Sequence, residues 1–456
     1  MSKRLVLVGA CLLAEACQGS QSMSLRVFTP DGGDPWVGDD AATQARLRIE
    51  DHQTPDQTVT VASDGSFSLQ VVLANPDATV RVVVEALRGG QVVGWGGTPL
   101  AQWGSFGPVL LPVYVQRRDT LAGAPWSPGA ARTSPMLFEL AAPYVTALGG
   151  AVQAAAPDVF DDLAMRRVDG AAVLDDTFNR DASAIKLTDG TILLVRGCAA
   201  LIWSPGSNTI TMPTDRMPPS DRCNIIGSTV VQEPNGGGLV VGGRTGAMAS
   251  ARVDHVLGDG TWATAQPLTV PRDHPSAVRL GENDALVAGG QGATADFLER
   301  YGLALMPAQR ALHTGNDRAD HRTRAAVVFA GDGVALALGG LDAAGATATE
   351  DLLLDTRCAT GGCPVLLGTR TLLRQRRRDA VAALAEGARV VAASGTLDDG
   401  TAASAVEIID VTNARDPQAG VTIASLPFTG LSMLPLTTGA VWIAGGGQTT
   451  TWFYRH

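Results

Sequence analysis

An arginine followed seventeen residues later by a glycine recurs along most of this chain: Arg132 to Gly149, Arg180 to Gly197, Arg272 to Gly289, Arg322 to Gly339 and Arg378 to Gly395. A small insertion stretches the interval from Arg222 to Gly242, and a final copy ends at Gly445 with Phe428 in the arginine's place. The glycine is doubled in Gly149-Gly150, Gly242-Gly243, Gly289-Gly290, Gly339-Gly340 and Gly445-Gly446. Successive copies lie about fifty residues apart, and each reads as a strand, an acidic or glycine turn, and an apolar strand. A unit this short cannot bury its own apolar face, so the copies must stack on one another.

A third strand follows several copies, as in Ala405 to Asp410 and Asp296 to Tyr301, and Trp262 precedes Arg272 where a fourth strand is due. This succession resembles the kelch repeat, whose blade has four strands and a double glycine after the second. The resemblance covers roughly residues 120 to 456 and implies an all-β, seven-bladed kelch-type β-propeller. The last copy reaches His456 after only three strands, so Thr120–Trp126 is expected to supply its fourth and close the ring, removing exposed edges. The domain boundaries are then 117–456 for the propeller and 24–116 for a small domain before it.

That small domain shows period-two alternation in short runs, among them Leu25 to Phe28, Ala45 to Ile49, Phe67 to Val72 and Val80 to Val84. With Gly, Asp and Pro between the runs, it reads as an immunoglobulin-like or transthyretin-like β-sandwich. Ser63 to Phe67 carries an Asp-Gly hairpin signal. The acidic loop Asp31 to Asp34 offers oxygens for calcium, but no completing Glu follows, and a solvated loop is the expectation.

Lys3 and Arg4 precede the apolar run Leu5 to Ala14, and Ala14-Glu15-Ala16 supplies small residues for cleavage, so 1–16 is expected to be a secretory signal peptide. Cys17 and the polar stretch to Met23 (17–23) resemble the start of a bacterial lipoprotein, which implies lipidation of Cys17 and a membrane tether. Plain secretion after cleavage at Ala16 is the alternative. Gln18, not being Asp, is compatible with outer-membrane sorting. Four other mature cysteines suit an oxidising compartment: Cys358 and Cys363 can close a local loop across Gly361-Gly362, which leaves Cys198 for Cys223. Zinc is the rival for either pair, though no His stands at ligand spacing.

A net charge of -10 works against nucleic-acid binding. Galactose-oxidase-like proteins share kelch repeats and hold copper with Tyr and His, yet the four Tyr and the six His (His52, His255, His274, His313, His321, His456) form no recognisable ligand set. His274 and His321 flank repeated Arg positions. Sialidases gather Arg around a carboxylate, but one Arg per unit at one place, Arg132, Arg180, Arg222, Arg272, Arg322 and Arg378, reads as packing. The run Arg374 to Arg378 reads as a solvated loop. No catalytic, cofactor or metal residue is therefore assigned. The expectation is a monomeric, non-enzymatic binding scaffold of the cell envelope recognising a protein or glycan. The alternative is a secreted propeller enzyme acting on carbohydrate, galactose-oxidase-like or sialidase-like. The whole layout looks like kelch-repeat lipoproteins of myxobacteria and related groups.

Overall fold

A computed structural model describes residues 21–456 apart from 51–52, 63–65, 74, 107–109, 152, 169, 171, 282–283, 291–297, 303–310, 313–321, 343 and 358–364. The expected signal peptide, residues 17–20 of the expected tether, the Ser63 to Phe67 turn in part, and Cys358 and Cys363 lie outside the described residues, whereas Gln21, Ser22 and Met23, expected in the tether, open the first strand and pair with Leu73, Val72 and Val71. The fold is all-β, and among the described residues the one α-helix is Asp176–Asp181.

Residues 21–117 form two sheets over one core. Gln21–Phe28 lies between Gln70–Leu73 and Leu110–Tyr114, the latter pairing in parallel. The second sheet centres on Gln44–Glu50, Thr79–Arg88 and Gln91–Gly97. Alternate residues of both face inward, and Leu25, Val27, Leu47, Val71, Val82, Val84, Trp103 and Val113 are buried together. The strand Gln91–Gly97 escapes pattern reading because Gly94, Gly96 and Gly97 interrupt it. Those glycines are demanded by close approach: a Cβ on Gly96 would run into the carbonyl of Tyr114.

Seven four-stranded antiparallel sheets come next, and their first strands are Met136–Glu139, Ser183–Lys186, Thr229–Gln232, Ser276–Arg279, Ala326–Gly331, Val381–Ala385 and Leu431–Pro435. Second strands such as Val334–Leu338 and Val441–Gly445 are buried along their whole length, as continuous apolar runs covered on both faces require. Fourth strands such as Val365–Arg370 meet solvent. Each first strand lies against the first strand of the next sheet, and Leu431–Pro435 lies against Met136–Glu139, so the order closes on itself. The apolar cores sit between the sheets. Leu336 of the fifth packs with Val390 of the sixth, Val391 of the sixth with Ile443 of the seventh, and Trp442 of the seventh with Phe160 of the first.

The fourth strand of the last sheet comes from far upstream: Thr120–Gly123 pairs antiparallel with Trp452–Arg455. Trp126 lies just beyond that strand. Its indole stacks on Phe160 at 5.3 Å and meets Phe453 and Trp442 edge-on, so one ring fills the seam between the last and first sheets.

Candidate functional site

The repeated Arg-to-Gly interval is a hydrogen bond. Arg132 Nη1 donates to the carbonyl of Gly149 at 2.7 Å, and Arg272 Nη1 donates to that of Gly289 at 2.7 Å. In the third sheet the insertion is bridged by a hydroxyl: Arg222 donates to Ser228 Oγ at 2.7 Å, which donates to Gly242 O at 2.9 Å. Each buried guanidinium also meets an acid on a third strand, Asp158 for Arg132 (2.8 Å), Asp254 for Arg222 (2.5 Å) and Glu299 for Arg272 (3.3 Å). Arg322 is likewise buried, donating to Glu350 O at 2.9 Å and acting electrostatically on Asp351. Burial pushes the Arg222 guanidinium below its ordinary pKa, with Asp254 opposing.

Two of the repeated arginines lie elsewhere than the pattern puts them. The buried one in the sixth sheet is Arg377, not Arg378: it bonds Ser394 O at 3.3 Å, again seventeen residues on, and pairs with the buried Glu407. Arg378 is half-buried beside it. Arg180 is exposed at the end of the short helix, where Asn179 takes the inner place and donates to Leu174 O and Asp175 O. That sheet is joined to the next by the Cys198–Cys223 disulfide instead. The buried arginines Arg132, Arg222, Arg272 and Arg377 therefore brace the strands of their own sheets and are spent on those bonds.

The turns just beyond the buried arginines, by contrast, present side chains to solvent. Two residues after the arginine the chain must bend sharply into the first strand, and it does so in the left-handed region at Ser134 (φ 49°), His274 (φ 48°), Arg324 (φ 59°) and Asp379 (φ 56°). Gly227 and Gly430 hold the corresponding places in two more sheets, at φ 70° each. Because the first strands close into a ring, all six positions gather at one end of it, which we call the mouth. Backbone bonds tie neighbours there: Ser134 N to Gly430 O at 2.6 Å, His274 N to Gly227 O at 3.2 Å, and Asp379 N to Arg324 O at 2.8 Å. Glycine adopts this conformation freely, whereas a side chain costs about 1–2 kcal/mol. Four sheets nevertheless keep polar side chains there.

Their chemistry is coherent. His274 leaves 60 % of its side chain exposed, while its Nδ1 lies 2.6 Å from Oδ1 of Asp273, a carboxylate only 8 % exposed. Arg244 approaches the other Asp273 oxygen at 3.8 Å. Across two neighbouring sheets, Arg324 forks onto Asp379, with Nε 2.6 Å from Oδ1 and Nη2 closing on Oδ2. The mouth thus combines an exposed imidazole beside a buried carboxylate with a bidentate, solvent-facing guanidinium–carboxylate pair.

The remaining sequence candidates lie apart. His255 is buried on Glu233 at 2.8 Å, and His456 is at the opposite end of the ring; His52, His313 and His321 are outside the described residues. Asp34 is occupied by Thr29 Oγ1 and Trp36 N. Among the described residues no three or more His, Cys, Asp and Glu side chains gather in a metal-holding group. The mouth escapes sequence reasoning because a left-handed residue carries no mark there. Its one visible sign is His274 beside a repeated Arg.

No protein-family model and no curated protein matches this chain. Among solved structures it is similar to a fungal alcohol oxidase of the AA5 family in complex with copper, at 12 % identity and a TM-score of 0.52, over 74 % of this chain and 75 % of the other. It is also similar to YjhT at 12 % identity and a TM-score of 0.42, over 64 % of this chain and 99 % of the other. At this identity the first likeness shows the fold alone. It still overturns the expectation of a non-enzymatic scaffold, which rested on an absence of chemistry, because a chain of this fold carries catalysis.

Proposed function

We propose that the seven sheets are the blades of a kelch-type propeller, closed by Thr120–Gly123, and that the chain is an enzyme acting on carbohydrate at the propeller's mouth. The observation that carries this reading is the exposed His274 held against the buried Asp273 carboxylate. Asp273 Oδ1 accepts no hydrogen bond, so the carboxylate acts on the adjacent imidazole through its charge, favouring the positive ring that forms when it takes a proton from a sugar hydroxyl or a water. Charge developing on the imidazole is stabilised by Asp273, and the Arg324–Asp379 fork supplies the planar donors and acceptors that adjacent sugar hydroxyls need. The two preceding sheets are read as an immunoglobulin-like or transthyretin-like domain. Export, with Cys17 as the lipid-bearing residue, belongs to the same reading. The Cys198–Cys223 disulfide supports an oxidising compartment, and among the described residues no helix is long and apolar enough to cross a membrane.

The test is turnover of a panel of nitrophenyl glycosides and oligosaccharides by the purified chain and by His274→Gln. Loss of about 10²- to 10⁴-fold in kcat, with an unchanged melting temperature, is expected. Peroxide release from the copper-loaded chain that His274→Gln leaves intact would overturn the acid–base reading in favour of oxidation. Turnover by neither route would overturn the enzyme.

A further inference from the structure

At the opposite end of the ring the two amino-terminal sheets meet the last two of the seven across a cleft of about 230 Å³, lined in part by Arg48, Glu50, Val83, Val92, Arg118 and His456. Most of its charges are already matched. Arg81 forks onto Glu386 at 2.9 and 3.0 Å, and Arg46 and Arg48 both hold Glu85. His456 bridges Asp119 at Nδ1 (2.7 Å) and Arg118 at Nε2 (2.8 Å).

Two groups keep capacity. Arg118 spends its guanidinium on His456 Nε2 and, at 3.4 Å, on Val92 O, and among the described residues it has no carboxylate at bonding distance. Asp119, which feels its charge, is bonded instead to Tyr454 and His456. A guanidinium has five N–H donors, so most of Arg118's remain. Glu50 stands 3.4 Å from Arg81 Nη1, outside a good charge-assisted bond, because that guanidinium is committed to Glu386. One cation and one anion with bonding capacity left over therefore line a single cleft, beside the apolar Val83 and Val92.

We infer that this cleft binds a free α-amino acid, its carboxylate on Arg118, its ammonium on Glu50 and an aliphatic side chain toward Val83 and Val92. The volume suits such a ligand, being below the roughly 300–1,000 Å³ of sites for drug-sized molecules. A ligand with only one of the two charges leaves the other protein group uncompensated. A ligand with both satisfies each without disturbing the Arg81–Glu386 fork, which joins the amino-terminal sheets to the ring. The site lies at the other end of the ring from His274, and it stands whether or not the mouth is catalytic.

Titration calorimetry of the full chain with L-leucine, L-leucine methyl ester and N-acetyl-L-leucine tests this. Leucine is expected to bind, and each blocked derivative to bind about tenfold more weakly or worse. Arg118→Gln should weaken leucine about tenfold and leave the methyl ester unchanged. Glu50→Gln should do the same for leucine and leave N-acetyl-leucine unchanged. If Arg118→Gln fails to fold, Glu50→Gln against leucine and N-acetyl-leucine still reads the ammonium half. Failure of leucine to bind, equal binding of all three compounds, or variants that discriminate as the parent does would each overturn the proposal.

Discussion

Arg132 Nε and Asp158 Oδ2 meet at 2.8 Å inside the protein, where the two side chains keep only 2 % and 5 % of their surface in water. Removing one partner strands the other charge in a medium that cannot solvate it, so Asp158→Ala and Asp254→Ala are each expected to cost about 3–5 kcal/mol. Arg180→Ala, at an exposed helix end, should stay within about 0.5 kcal/mol of the parent. Urea denaturation of the three variants checks the contrast. A large loss at Arg180, or none at Asp158, would refute the division between buried and exposed arginines.

Half of that pair was legible in the sequence and half was not. The arginines stand at a constant distance from their glycines because that distance is one bond, across two paired strands of fixed length. The acids sit on third strands, past loops that vary, so Arg132 and Asp158 are 26 residues apart while Arg222 and Asp254 are 32 apart. No fixed interval marks them. The one-residue error at Arg378 has a similar origin: Arg377 and Arg378 stand side by side, and Ser394 fills the left-handed place that glycine takes in Gly289. The mouth was less legible still. The residue two after each buried Arg was in view, but only the backbone shows that Ser134, His274, Arg324 and Asp379 share a conformation and an end of the ring.

Trp126 packs against Phe160, Trp442 and Phe453, which belong to the first and last sheets. Truncating it opens the seam where the ring is joined, so Trp126→Ala is expected to lower stability by about 3–5 kcal/mol. Deletion of residues 118–128 should lower the melting temperature further, since it also removes the Thr120–Gly123 strand and bares an edge. Val421→Ala, at an exposed position, serves as the near-neutral control. Calorimetric melting curves that are the same for all three would sink the closure.

Burial raises the Asp162 carboxyl from 3.8 to about 7, with Glu139 and Asp161 pushing the same way and Arg455 opposing. The folded state therefore holds a proton that the unfolded chain gives up near pH 4. Stability should fall as pH rises from about 4 to about 7, and level off above that. Asp162→Asn removes the ionisation, so the variant should gain on the parent across this window and exceed it in stability at pH 8. Chemical denaturation of both proteins at pH 4, 6 and 8 measures it. A parallel pH dependence would show that Asp162 ionises as freely folded as unfolded.

His274 turns at φ 48° where Gly227, in the neighbouring sheet, turns at 70° without a side chain. His274→Gly keeps the turn and relieves the left-handed backbone, against the greater freedom glycine brings to the unfolded chain. The expected net is a gain of up to about 1 kcal/mol, together with loss of the imidazole beside the buried Asp273. Stability and turnover should thus move in opposite directions. Ser134→Gly should share the gain in stability without the full loss of turnover, because its hydroxyl has no proton-accepting partner role at Asp273. Melting temperature and kcat measured on the same preparations decide it: a His274→Gly protein that melts lower and turns over normally would make the residue a packing element, and the mouth would lose its catalytic assignment.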